Sequence, residues 1–348
     1  MRKARKEAKK AIRDTLKTVQ HITDYIYTLD YKADYSLDAM LAAGLSNMAA
    51  LILFVQKSLR SPKTVFSPVL PGGCSTFNTT TPDGDVILGR NFDYKDAPCV
   101  IVWTAPENGY RSMAVADTTY MLYDLKWPQI KNQKKPMRLL AAPYTSMDGI
   151  NEKGLAVAVL EIKAKSTKQK TGRTPITTTV ALRAFLDKCA TVEECIALLE
   201  QYDMHDPMFV NYHYQFLDEQ GNSALVEYVD NKMYVIRQPE PGACLALTNY
   251  FLTEGGDNSK EMGRDRYQNI TSALSDKPAL SEQEAMDLLS NNTLYYHHAW
   301  MPHMVTTLWS AVYNCTERSM FLCAGMDYEH RYRFTLDEPG KWSRGSMV

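Results

Sequence analysis

Apolar residues recur at helical spacing early in the chain. Ile12, Leu16, Val19, Ile22, Tyr25 and Ile26 predict a helix over residues 3–28, basic on its other side. Ser36 stands where it would cap a second helix over residues 37–59. Ser61-Pro62, Ser67-Pro68 and Pro71-Gly72-Gly73 then stop the helical pattern and predict an exposed, cuttable connector. From there the period shortens. Cys74-Ser75-Thr76-Phe77-Asn78-Thr79 and Val86-Ile87-Leu88 are strand-like, and Pro82-Asp83-Gly84-Asp85 between them marks a hairpin. A two-residue loop at Asp83-Gly84 would make paired numbers sum to 167 and set Cys74 opposite Asp93.

Further strands are expected at residues 100–104, 113–116, 156–161, 212–217, 223–228, 232–237, 245–250, 306–314, 319–324 and 332–336. Helices are expected at about 177–189, from the Thr191-Val192-Glu193-Glu194 capping box to about 202, and from Ser281 to about 289. Runs of strands with paired helices predict a layered α+β fold, sheets sandwiched between helices.

Composition narrows the class. The 348 residues are 45% hydrophobic and 23% charged with net charge −1, enough chain for a large core and no electrostatic case for nucleic acid. Seven cysteines, an odd number without framework spacing, favour a reducing compartment. The Lys/Arg-rich start is not followed by an apolar segment, so no secretory signal is read and a cytoplasmic location is expected. Residues 39–55 form the longest apolar run, interrupted by Gly44, Ser46 and Asn47 and about two to three residues short of a membrane span. Membrane contact through the basic amphipathic start stays open.

Cys74 stands apart from the other cysteines because two glycines precede it. Glycine before a self-cleaving residue tolerates distorted backbone and leaves its carbonyl open to attack. Exposed as a new N-terminus, Cys74 would carry an α-amine with pKa about 8, able to take the thiol proton without a histidine. Arg90 beside it would favour the thiolate, and Asp93 would orient the amine. The two are three apart and cannot share a face of a regular strand, so a bulge or an early strand end is expected. The bland alternative for the two is a surface ion pair at a strand end, which is commonplace and worth little. His297-His298 and His303 lack a recognised metal-ligand spacing. Tyr295, Tyr296, Trp300 and Met301 nearby could line an apolar acyl pocket or simply be core.

Gly72-Gly73-Cys74-Ser75-Thr76-Phe77, Gly89-Arg90-Asn91-Phe92-Asp93-Tyr94 and Asp148-Gly149-Ile150-Asn151-Glu152-Lys153-Gly154-Leu155 resemble the N-terminal-nucleophile hydrolases of the choloylglycine hydrolase group, over roughly residues 74–335. That group includes bile salt hydrolases, penicillin V acylases, acid ceramidase and N-acylethanolamine amidase. The resemblance implies a four-layer αββα sandwich, with residues 1–73 a helical pro-segment and 74–348 the catalytic domain. It implies a zymogen that cuts itself at Gly73-Cys74, then cleaves linear amides of N-acyl substrates through a thioester on Cys74. Arg90 and Asp93 match the group's motif. Asn249, in Leu247-Thr248-Asn249-Tyr250, matches its oxyanion donor, although a strand-end asparagine is also a common turn residue. Arg266 fits the group's later arginine better than Arg264, at a spacing from Asn249 much shorter than in bile salt hydrolases. Glu161 stands where bile salt hydrolases carry asparagine and penicillin V acylases tyrosine. Its N–H could complete the oxyanion hole. No cofactor or metal is implied; the partner is a small N-acyl amide, and a homo-oligomer of processed units is possible within the group. Acyl transfer by the same site and an uncut, non-enzymatic binding protein are the alternatives.

Overall fold

The computed structural model describes residues 2–59, 72–121, 137–207, 210–296 and 305–345. The expectations for His297, His298, Trp300, Met301 and His303 lie outside the described residues.

Helix α1 (Arg2–Lys17) ends eleven residues before the expected 28. The remainder is an antiparallel hairpin, β1 (Gln20–Thr23) and β2 (Ile26–Tyr31). Ile26-Tyr27-Thr28-Leu29-Asp30-Tyr31 is rich in β-branched and aromatic residues, and β2 is buried on both faces, so no polar alternation betrays it. The second expected helix is broken at Gly44 (φ +68) into α2 (Leu37–Ala43) and α3 (Met48–Leu59). Ser36 does precede α2 but is left-handed (φ 58) and makes no side-chain cap.

Strands β3 (Gly73–Thr80) and β4 (Val86–Lys95) form the expected ribbon in a different register: pairs sum to 166, and Cys74 lies opposite Phe92. The loop is three residues, not two. Pro82 has no N–H to pair and sits inside a turn closed by Gly84 N–H on the Thr81 carbonyl at 2.9 Å. Gly84 is left-handed (φ +94), the G1-bulge ending that three-residue hairpins favour.

β5 (Cys99–Thr104), β6 (Ser112–Asp117), β7 (Ser146–Asn151) and β8 (Ala156–Ile162) follow, then β9 (Thr174–Thr177), α4 (Thr178–Lys188), α5 (Val192–Leu199) and β10 (Tyr202–His205). The meander is β11 (Asn211–Leu217), β12 (Ser223–Val229) and β13 (Lys232–Arg237). After β14 (Ala246–Leu247), only two residues of the expected 245–250 strand, come α6 (Arg264–Asp276), α7 (Glu282–Ser290) and β15 (Tyr295–Tyr296). The chain closes with β16 (Val305–Asn314), β17 (Ser319–Ala324), β18 (Tyr332–Thr335) and β19 (Ser343–Arg344).

Two sheets stack face to face. The nine-stranded sheet runs β1-β2-β5-β6-β7-β8-β11-β12-β13; the other runs β14-β3-β4-β16-β17-β18-β19, with β15 on β16. Phe185 of α4 packs on Tyr214 and Phe216, covering the nine-stranded sheet. Ile270 and Leu274 of α6 and Met286 and Leu289 of α7 join Phe77, Ile87 and Val312 beneath the second. Gln215 reaches Asn78 across the middle at 3.2 Å. The order helix, sheet, sheet, helix is the expected αββα sandwich. Its N-terminal part is not wholly helical, because β2 pairs in parallel with β5 inside the large sheet.

Candidate active site

Alternation along the ribbon decides what Cys74 meets. Cys74, Thr76, Arg90 and Phe92 face the space between the sheets, while Phe77, Asn91 and Asp93 face α6 and α7. Arg90 and Asp93 therefore lie on opposite faces of a strand that continues to Lys95; neither an early end nor a bulge in β4 brings them together. The irregularity lies instead in β16, between Thr307 and Trp309.

On the inner face the Arg90 guanidinium approaches the Cys74 thiol. It is aimed by Asp148 Oδ2 (3.2 Å from Nε) and by the Val159 carbonyl (2.7 Å from Nη2). Asp148 also accepts from Trp309 Nε1 at 3.1 Å and from the Tyr313 hydroxyl. Phe92 stacks on Trp309 at 4.1 Å, and both pack in the same core cluster as Cys74. Burial raises the pKa of the thiol, and Arg90 offsets that only in part. Arg90 favours the thiolate as expected, but burial outweighs it and Cys74 of the intact chain is held as a thiol.

The outer face holds the backbone. The Cys74 N–H donates to Asn249 Oδ1 at 2.7 Å. Arg266 donates to Asp93 Oδ2 at 2.5 Å, to Asn249 Oδ1 at 3.1 Å and to the Cys74 carbonyl at 3.2 Å. Thr307 Oγ1 donates to Asp93 Oδ1 at 2.5 Å. A cation at a helix start is ordinarily unfavourable; here the buried Asp93 carboxylate offsets it. Arg264 turns away to Glu261 on the surface. Both glycines before Cys74 answer a steric demand rather than a left-handed φ. A Cβ on Gly73 would come within 2.8 Å of Leu294 Cδ2 and 2.9 Å of Asp93 Oδ2; one on Gly72 would meet the Asp93 carbonyl at 2.6 Å.

Asn249 Nδ2 donates to the Glu161 carbonyl at 2.7 Å. One hydrogen of the Asn249 amide is committed there and the second is left for another acceptor. The Glu161 carboxyl is buried, its pKa pushed up to about 8 by desolvation despite Lys163 and a bond from the Gly72 N–H. Gly72, Gly73, Cys74, Phe92, Glu161 and Tyr212 line a cavity of about 20 Å³, room for one water molecule. Tyr295 is 62% exposed. Among the described residues no set of His, Cys, Asp and Glu could hold a metal ion, and no helix is long and apolar enough to cross a membrane.

Sequence reasoning missed Asp148, Thr307 and Trp309. Asp148 was visible only as part of a turn motif; its contact with Arg90 spans 58 residues.

The family model described as acyl-coenzyme A:6-aminopenicillanic acid acyl-transferase matches residues 79–328. The chain belongs to that family. The match takes in Arg90, Asp93, Glu161, Asn249 and Arg266 and begins after Cys74. Penicillin V acylase of Pectobacterium atrosepticum is 26% identical over 170 residues, 43% of this chain. That match spans only 42% of the acylase. A mutant conjugated bile acid hydrolase from Clostridium perfringens superposes with TM-score 0.55 at 17% identity, covering 79% of this chain and 97% of that one. Penicillin V acylase from Agrobacterium tumefaciens gives 0.50 at 19% identity, covering 75% and 90%. The family member thus has the N-terminal-nucleophile hydrolase fold of the choloylglycine hydrolase group.

Proposed function

We propose that this family member is a self-processing cysteine amidase acting on linear amides of N-acyl substrates. The observation that carries the reading is the convergence on one residue. The Cys74 N–H rests on Asn249, Arg266 ties its carbonyl to Asp93, and Arg90 faces its thiol.

In the first stage the Cys74 sulfur attacks the Gly73 carbonyl. The C–N bond breaks, giving a thioester and a free α-amine that takes up the thiol proton. Water then cleaves the thioester, leaving a Gly73 carboxylate and a new N-terminal cysteine. Residues 1–73 are then the pro-segment, 74–348 the catalytic domain and the uncut chain a zymogen, in which Gly72 and Gly73 themselves line the small cavity beside Cys74. In the mature site the amine deprotonates the thiol, and Sγ attacks the substrate carbonyl. The oxyanion takes the free Asn249 N–H. The amine then protonates the leaving amine, and water deacylates the thioester. N-acyl amino acids, N-acylethanolamines, conjugated bile salts and penicillin V-like amides fit the substrate class, which the names of the relatives support. The family's own description favours a second reading, in which an amine rather than water receives the acyl group.

Intact mass of wild type beside Cys74→Ala tests the first stage. Wild type splits between Gly73 and Cys74 while the variant stays whole; two whole chains would leave an uncut binding protein as the better account. Product analysis on an N-acyl amide with added amine then separates hydrolysis from transfer.

A further inference from the structure

Asn249 and Arg266 are 17 residues apart in sequence yet share a hydrogen bond. What joins them is a closed loop. Asn249 and Met262 form an isolated antiparallel bridge, with the Met262 N–H on the Asn249 carbonyl at 3.3 Å. Gly263 then turns the chain (φ +77) into α6, where Arg266 is in the first turn. Within the loop, Asn258 clasps Phe251 twice, accepting its N–H at 2.8 Å and donating to its carbonyl at 2.9 Å. Gly256 leaves room for the Phe251 side chain, whose Cβ an added Cβ would meet at 2.4 Å and whose ring it would meet at 2.5 Å.

Beyond the Asn249 bond to Glu161, the loop is fastened to the large sheet through Glu227. Glu227 of β12 accepts the Leu252 N–H at 3.1 Å and the Thr253 N–H at 2.8 Å. His213 Nδ1 lies 3.2 Å from the same carboxylate, and both side chains are fully buried. Burial opposes ionisation, but His213, the Thr253 side chain and the Leu252 amide hold the carboxyl below its usual range.

We propose that Glu227 is a positioning residue. Acting through the 250–262 clasp, it sets the Asn249 amide against the Cys74 nitrogen and the Glu161 carbonyl. The proposal rests on the amidase reading for its kinetic consequence but not for its structural one. A carboxylate presents two acceptor oxygens to two N–H groups and a histidine; glutamine of the same shape points an NH₂ at one of these donors. Glu227→Asp keeps both acceptors on a shorter stem.

The test compares wild type, Glu227→Gln and Glu227→Asp. In a Cys74→Ala background, hydrogen exchange of the residue-74 amide speeds up in Glu227→Gln, because its acceptor has moved. In processed enzyme, kcat falls on the order of 10- to 100-fold while KM stays within about twofold, and Glu227→Asp recovers part of the loss. Unchanged exchange at residue 74, or a lowered melting temperature with wild-type kcat, overturns the proposal. An inactive wild type would sink the amidase reading and leave the exchange measurement to decide the clasp.

Discussion

The two faces of the β3–β4 ribbon are built from different materials. The inner face offers Cys74 one cation, Arg90, backed by a fully buried Asp148 and two aromatic rings. The outer face offers a hydrogen-bonded net of Asp93, Arg266, Asn249 and Thr307 around the peptide backbone. The first environment tunes a sulfur; the second holds a nitrogen and a carbonyl. A strand allows this division because its side chains leave on alternate faces while its backbone is shared. Two side chains that could not share a face both serve Cys74, Arg90 directly and Asp93 through Arg266.

The largest expected effect is on the backbone side. Arg266→Lys keeps a charge for Asp93 but cannot span three acceptors, so self-cleavage slows on the order of 100-fold in an intact-mass time course. Asp148→Asn, on the thiol side, leaves Arg90 a buried cation without its counter-ion. It costs about 3 kcal/mol in denaturant unfolding while cleavage slows less than in Arg266→Lys. Equal slowing with unaltered stability would erase the distinction between the faces.

The smallest effect concerns Glu161, whose carbonyl serves the outer net and whose carboxyl abuts Gly72. Its carboxyl pKa is raised from 4.5 to about 8. The folded chain thus keeps a proton that the unfolded chain releases. Its contribution is fully present below about 4.5 and is lost as pH rises toward about 8. Glu161→Gln cannot ionise, so its melting temperature relative to wild type climbs by a few degrees over that window. A constant difference would show that Glu161 is ionised in the fold.

Much of this architecture was legible from local pattern. The meander, the late hairpin and the Ser281–Glu284 capping box stand where turn residues and caps announced them. The residues around Cys74 were legible as a motif, because Gly73, Arg90 and Asp93 sit on one ribbon. What escaped depended on distant partners. The β1–β2 hairpin hid behind apolar spacings that suit a helix as well, since a strand buried on both faces shows no alternation. The ribbon's register turned on whether Pro82 lay inside the loop. Asp148 became a site residue only when β7 was laid across β4, which nothing within either segment specifies.

The parallel pairing of β2 with β5 has a consequence for the life of the molecule. Residues 26–31 join the large sheet while still tethered to everything after residue 72. In the intact chain, that tether keeps the effective concentration of one piece for the other high. If the proposed hydrolysis at Gly73 takes place, it removes the tether while the β2–β5 ladder still holds the first piece by main-chain bonds. A processed molecule once melted must find its missing strand by bimolecular encounter. On the proposed cleavage, durability becomes a rate of unfolding rather than a reversible equilibrium, and each copy folds only once as a single chain.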